Sequence, residues 1–191
     1  LTNYIPDSTP TARLVMQPIA MDANVHLVGS DMTADAWIEC MNGTVDLDAA
    51  YNLDSEAYNA QVDIARLPLD ILLPHDTVGN LSAHATLAGR HFSFDNPDMT
   101  IEAQVAIDTL EYKRYQYRGI ELQASAKEEK WMLNLNSRQQ EADLQRNASG
   151  LYKKDLLTAD LDAKINMLDL ASLNLAQQPL DIATNIQAEV V

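Results

Sequence analysis

Along most of this chain every second residue is apolar and the residues between are polar. That period is the repeat of a β-strand, whose successive side chains leave opposite faces. In Thr100-Ile-Glu-Ala-Gln-Val-Ala-Ile-Asp108, the residues Ile101, Ala103, Val105 and Ile107 share one face, while Glu102, Gln104 and Asp108 take the other. The rhythm returns in residues 45–51, 60–64, 81–87, 120–126, 131–136, 159–165 and 182–190. Its apolar positions are Val45, Leu47, Val62, Ile64, Leu81, Leu87, Ile101, Val105, Ile107, Ile120, Leu122, Leu133, Leu135, Leu161, Ile165, Ile182 and Ile186, interleaved with alanines such as Ala60, Ala83, Ala85, Ala103, Ala124 and Ala188. One dry face and one wet face favour antiparallel pairing over a parallel sheet buried on both sides.

Turn residues separate the runs. Asn42-Gly43, just before a strand that starts near Thr44, is a hairpin signal. Gly79-Asn80, Asp95 to Asp98, Arg118-Gly119 and Ser149-Gly150 read as further punctuation. Pro68, Pro74 and Pro179 stand at the ends of runs, where no ladder amide is lost. Residues 1–18, with Pro6 and Pro10, read as irregular or as an edge strand. Helical signals are few: Met167 to Leu175 fits one helical turn, and Ala142 and Leu144 fit a strand after a turn at Arg138-Gln139-Gln140. Residues 60–73 resemble residues 159–173, each an alternating strand followed by a Leu-rich link, so a multi-strand module is read as returning.

A sheet with one apolar face must cover it. Without helices, a second sheet can do so, or the sheet can curl on itself as its twist accumulates over many long strands. The expectation is one all-β unit over residues 1–191, mostly antiparallel, with few or no helices. Its exposed edges predict edge-to-edge self-association.

The formal charge of -15 offers no cationic cluster for nucleic acid or for an anionic membrane surface. A single cysteine, Cys40, excludes an internal disulfide framework and a cysteine-based zinc site. The chain opens at Leu1 without an initiator methionine, a signal peptide or a membrane-spanning apolar run, and is read as a segment of a longer protein.

Five stretches, taken in order, carry a family resemblance. They are Gly43-Thr-Val-Asp-Leu-Asp-Ala-Ala-Tyr-Asn52, Leu69-Asp-Ile-Leu-Leu-Pro74, Val78-Gly-Asn-Leu-Ser-Ala83, Leu110-Glu-Tyr-Lys-Arg-Tyr-Gln-Tyr-Arg-Gly-Ile-Glu-Leu-Gln-Ala124 and Leu168-Asp-Leu-Ala-Ser-Leu-Asn-Leu175. Over residues 40–191 the chain resembles the repetitive β-region of the TamB/AsmA family, in particular its Bacteroidetes-type TamB-like members. That resemblance implies a taco-like groove with an apolar interior, which carries phospholipid acyl chains across the periplasm or assists outer-membrane assembly. It implies a protein anchored in the inner membrane and partnered with an Omp85-type outer-membrane barrel protein. The alternative reading is a soluble β-sandwich used for binding or adhesion.

Catalytic patterns are missing: no nucleophile elbow, phosphate-binding loop or dinucleotide fingerprint occurs, and no enzymatic role or cofactor is expected. Of the histidines, His84 falls on a wet face, His75 and His91 adjoin turns, and none joins His26 in a zinc pattern. Asp46 and Asp48 share a strand face, as a solvated face requires, without the glycine-punctuated calcium loop. Tyr112, Tyr115 and Tyr117, with Lys113, Arg114 and Arg118, form the one basic-aromatic cluster, read as an amphipathic hairpin or as a headgroup, sugar or partner site at a groove rim. Three glycosylation triplets, starting at Asn42, Asn80 and Asn147, are short enough to recur by chance.

Overall fold

The computed structural model describes residues 19–72, 77–93, 95–153, 156–176, 178 and 182–190. Residues 1–18, Pro74, His75 and Pro179 lie outside them. The strands, in chain order, are β1 (Ile19–Val28), β2 (Asp31–Cys40), β3 (Gly43–Asn52), β4 (Ala57–Pro68), β5 (Val78–Arg90), β6 (Thr100–Tyr112), β7 (Tyr115–Lys127), β8 (Lys130–Arg138), β9 (Ala142–Lys153), β10 (Leu156–Leu157), β11 (Ala159–Leu168) and β12 (Thr184–Val190). One four-residue helix, α1 (Leu69–Leu72), links β4 to β5.

Eleven strands lie side by side in sequence order, each antiparallel to the next, and the short β10 folds back on β9. Substantial contacts between elements join only such neighbours, apart from α1 against β5. The described residues therefore form a single layer.

The all-β, antiparallel expectation holds. The expected curling does not: β1 and β12 stand at opposite ends of an open sheet. Curvature requires bulges or kinks spread along the strands. Here the register shifts gather at one end of the sheet, between Ile64 and Leu67, Val78 and Leu81, Ser82 and Ala83, and Ile165 and Met167. Beyond them the pairing runs unbroken, so little forces the sheet to close.

Two hairpins turn without the expected glycine. Lys113-Arg114 joins β6 to β7 and Glu128-Glu129 joins β7 to β8, with all four residues at positive φ. A two-residue loop with both central residues at positive φ matches the twist of its strands, and here register imposes it on residues that do not favour it. The Asn42 signal is displaced by one residue: Met41 and Asn42 form the turn and Gly43 opens β3.

Three glycines read as punctuation lie inside strands. Gly79 belongs to β5, Gly119 to β7 and Gly150 to β9. Gly119, at φ 60, sits in β7 where the regular pairing with Asp108 is interrupted. Gly150 faces Trp131 in β8, and a Cβ there would fall on the Thr158 carbonyl oxygen and 2.8 Å from Trp131 Nε1. In both, glycine marks an interrupted pair or a close approach within a strand, not its end.

The echo between residues 60–73 and 159–173 has a structural counterpart. β4 and β11 each carry a register shift near their last turn and leave the sheet at the same end, one through α1 and one through residues 169–175. The second link contains the expected helical turn, closed by Leu173 N–H donating to Asp169 O at 3.1 Å.

Candidate functional site

Directly opposed residues of an antiparallel pair share a face. Following the register across the sheet therefore sorts the side chains. Met21, Ile38, Val45, Ile64, Ala83, Ile107, Ile120, Ser137, Leu144, Ile165 and Thr184 form one row. Beside it run Ala23, Ala36, Leu47, Val62, Ala85, Val105, Leu122, Leu135, Arg146, Ala163 and Ile186. A third row on this face holds Leu87, Leu133 and Leu161 among alanines. Its neighbour on the opposite face is polar from β1 to β12: Asn24, Asp35, Asp48, Gln61, Thr86, Gln104, Gln123, Asn134, Asn147, Asp162 and Gln187.

The sequence-predicted apolar residues thus come together on one face. Leu81, opposite Leu67 and Leu110, and Ile101, opposite Gly89 and Ala126, extend it towards the two sheet ends. Ile182 stands apart, because β12 begins at Thr184; its N–H donates to Leu168 O at 3.0 Å in the connection. Strand β1 alternates as well, with Met21, Ala23, Val25 and Leu27 between Asp22, Asn24 and His26, whereas in β2 the adjoining Trp37 and Ile38 blur the period. The register nevertheless carries the apolar face onto both through Met21 and Ile38.

This face is half-open. Leu87 is 38% exposed, Leu133 37% and Ile186 44%; Val62, Val105, Leu122 and Leu135 are half-buried, and the large side chains that are fully buried lie at the two ends. At one end Phe92 stacks on Tyr58 with ring centroids 4.3 Å apart, Tyr58 O–H donates to Thr100 O at 3.3 Å, and Met99 is buried. At the other, Tyr117 O–H donates to Leu173 O at 3.3 Å, and Leu173 and Ile71 are buried.

The tyrosine cluster belongs to that second end. Tyr112, Tyr115 and Tyr117 follow Leu110 on the apolar face because the irregularity at Asp108 and Gly119 shifts the alternation by one residue. Tyr115 and Tyr117 meet edge to face at 4.8 Å, and Tyr115 O–H donates to Glu141 Oε2 at 2.9 Å. Burial, then the Glu141 hydrogen bond, pushes the Tyr115 phenol up to about 12. The Tyr115 and Tyr117 hydroxyls have partners within the chain, so these two rings act as a cap.

The polar face is hydrogen-bonded along its surface. Asn24 Nδ2 donates to Asp22 Oδ1 and Asp35 Oδ2, both at 3.0 Å, and Gln61 Nε2 donates to Asp63 Oδ2 at 2.8 Å. His84 Nδ1 lies 2.6 Å from Asp63 Oδ1, across the β4–β5 pair. The Gln61 hydrogen bond, followed by His84, holds the Asp63 carboxyl below the usual carboxylate range. His91 Nδ1 lies 3.0 Å from Glu56 Oε2. No three His, Cys, Asp or Glu converge on a possible metal site among the described residues. A depression of about 780 Å³ lies mostly on this polar side, lined by Met132, Asn134, Asn147, Ser149, Asp160, Asp162 and Gln187 with Ala148, Leu161 and Ala188. The described sheet is neither closed nor strongly curled. Comparisons with protein-family models, curated proteins and solved structures found no match to this chain.

Proposed function

We propose that this chain is a non-enzymatic, lipid-contacting segment of a TamB/AsmA-like envelope protein, moving phospholipid or assisting outer-membrane assembly across the periplasm. The observation that supports it is the apolar face itself: it is carried across eleven strands, with no second layer among the described residues. A sheet of ordinary storage or scaffold type covers such a face, and a binding sandwich needs an opposing sheet. Acyl chains would lie across the strands by hydrophobic burial, at about 0.8 kcal/mol per methylene, with headgroups in water. Because such contact is non-directional, a chain can slide along the face without a fixed site. An Omp85-type barrel is the partner this reading carries.

The test is native mass spectrometry, with lipid extraction, of the chain purified from a bacterial host. Co-purified phospholipid, lost in Val105→Asp or Ile107→Asp while circular dichroism stays unchanged, supports the proposal. A lipid-free, compact monomer that also rejects added phospholipid would sink it.

A further inference from the structure

Strand β9 alternates as its neighbours do, with Ala142, Leu144, Ala148 and Gly150 on the apolar face, yet Arg146 stands among them. It is opposite Leu135 in β8 and Ala163 in β11, in the row that continues through Leu122 and Val105. Its side chain is exposed and has no hydrogen bond or ion pair among the described residues. No other regularly paired strand position on this face carries a charge, and the nearby Asp143, Asp160 and Asp162 occupy the opposite face. A guanidinium is always charged and presents five donors in a fixed fork. A purely hydrocarbon occupant would bury that charge unpaired, which is strongly unfavourable. An occupant with an anionic head would pair it.

We infer that the apolar face takes an anionic amphiphile whose head pairs with Arg146 and whose tail crosses β8, β7 and β6 over Leu135, Leu122 and Val105. Three strand spacings are about 14 Å, close to the roughly 15 Å depth of one bilayer leaflet's hydrocarbon. This inference rests on the amphiphile-binding reading of the face and adds a preference for head charge at a named residue.

The experiment uses two probes with the same tail, dodecyl phosphate and the uncharged dodecyl maltoside, below their micelle concentrations. Binding is followed by calorimetry on the wild-type chain, Arg146→Gln and Arg146→Lys, with circular dichroism as the fold control. The wild type is expected to bind dodecyl phosphate about tenfold tighter than dodecyl maltoside, the scale of one charge-assisted contact. Arg146→Gln should remove that preference, Arg146→Lys should keep most of it, and maltoside binding should stay unchanged in all three. If both probes bind the wild type equally, or Arg146→Gln keeps the preference, the role of Arg146 is overturned while the apolar-face reading stands. If inorganic phosphate displaces dodecyl phosphate at equal concentration, Arg146 is a plain anion site and the amphiphile is the wrong occupant. If neither probe binds any variant, the apolar-face reading itself falls.

Discussion

The ends of the apolar face and its middle are built from similar side chains on the same strands, and they meet solvent very differently. At the ends, connections return over the sheet: Met99 and Leu173 are each 1% exposed, and Phe92 stacks on Tyr58. In the middle, Leu87 and Leu133 keep more than a third of their surface in water. Strand identity does not account for this, since Tyr58 and Val62 lie on the same β4 and the same face. What differs is whether a connection is long enough to fold back. The two-residue turns at 113–114 and 128–129 add no buried side chain, whereas the longer connections supply Met99 and Leu173. Packing stability is therefore concentrated in the caps, and the middle stays partly exposed.

This contrast can be broken by substitution. Met99→Ala and Leu173→Ala should each cost about 2–5 kcal/mol, the range for emptying a closed site, read as a drop in the urea midpoint. Equality with a mid-face substitution would show that the caps bear no special share. Next in size is Gly89→Ala, because a Cβ there would fall on the Thr100 carbonyl and 2.5 Å from the Tyr58 hydroxyl. A loss of about 1–3 kcal/mol is expected from this overpacking, with a weaker near-ultraviolet signal from the Tyr58–Phe92 stack. Leu133→Ala, in the open middle, should cost less than about 1 kcal/mol, since little of its environment is lost to a cavity. Its effect should appear instead as weaker phospholipid retention.

The smallest effect concerns pH. Tyr115 is neutral when protonated, and its folded-state value of about 12 lies above the unfolded phenol. The folded chain then holds a proton that the unfolded chain releases, so stability is intact below about pH 10 and falls as pH rises towards about 12. Urea midpoints measured at about pH 9 and about pH 11 should separate in the wild type and draw together in Tyr115→Phe. An unchanged separation would place the alkaline loss in other groups.

Much of the sheet was legible because strand alternation is a local property. Residues 100–108 and 120–126 needed only their own spacing to show which side chains share a face, and β6 and β7 bear it out. The turns at Lys113-Arg114 and Glu128-Glu129 carry no composition signal, because register and not residue preference holds them at positive φ. Gly119 was visible as a glycine but not as the partner of an irregularity at Asp108, and that irregularity is what turns Tyr115 and Tyr117 onto the apolar face. Arg146 is in phase with Ala142, Leu144 and Ala148 in the sequence, but only pairing with Leu135 and Ala163 shows that it interrupts a row of apolar side chains.

By itself, the sequence determined a two-sided, antiparallel all-β chain, for the period-two pattern of polarity is written residue by residue and allows no other regular backbone to separate the two kinds of side chain. Only the tertiary structure decided that the eleven strands remain in one open layer, capped at the ends and partly exposed between them. Closure and cover depend on where bulges fall, how long each connection is and which distant strand lies alongside, and none of these is set by the polarity of a residue's neighbours in the chain.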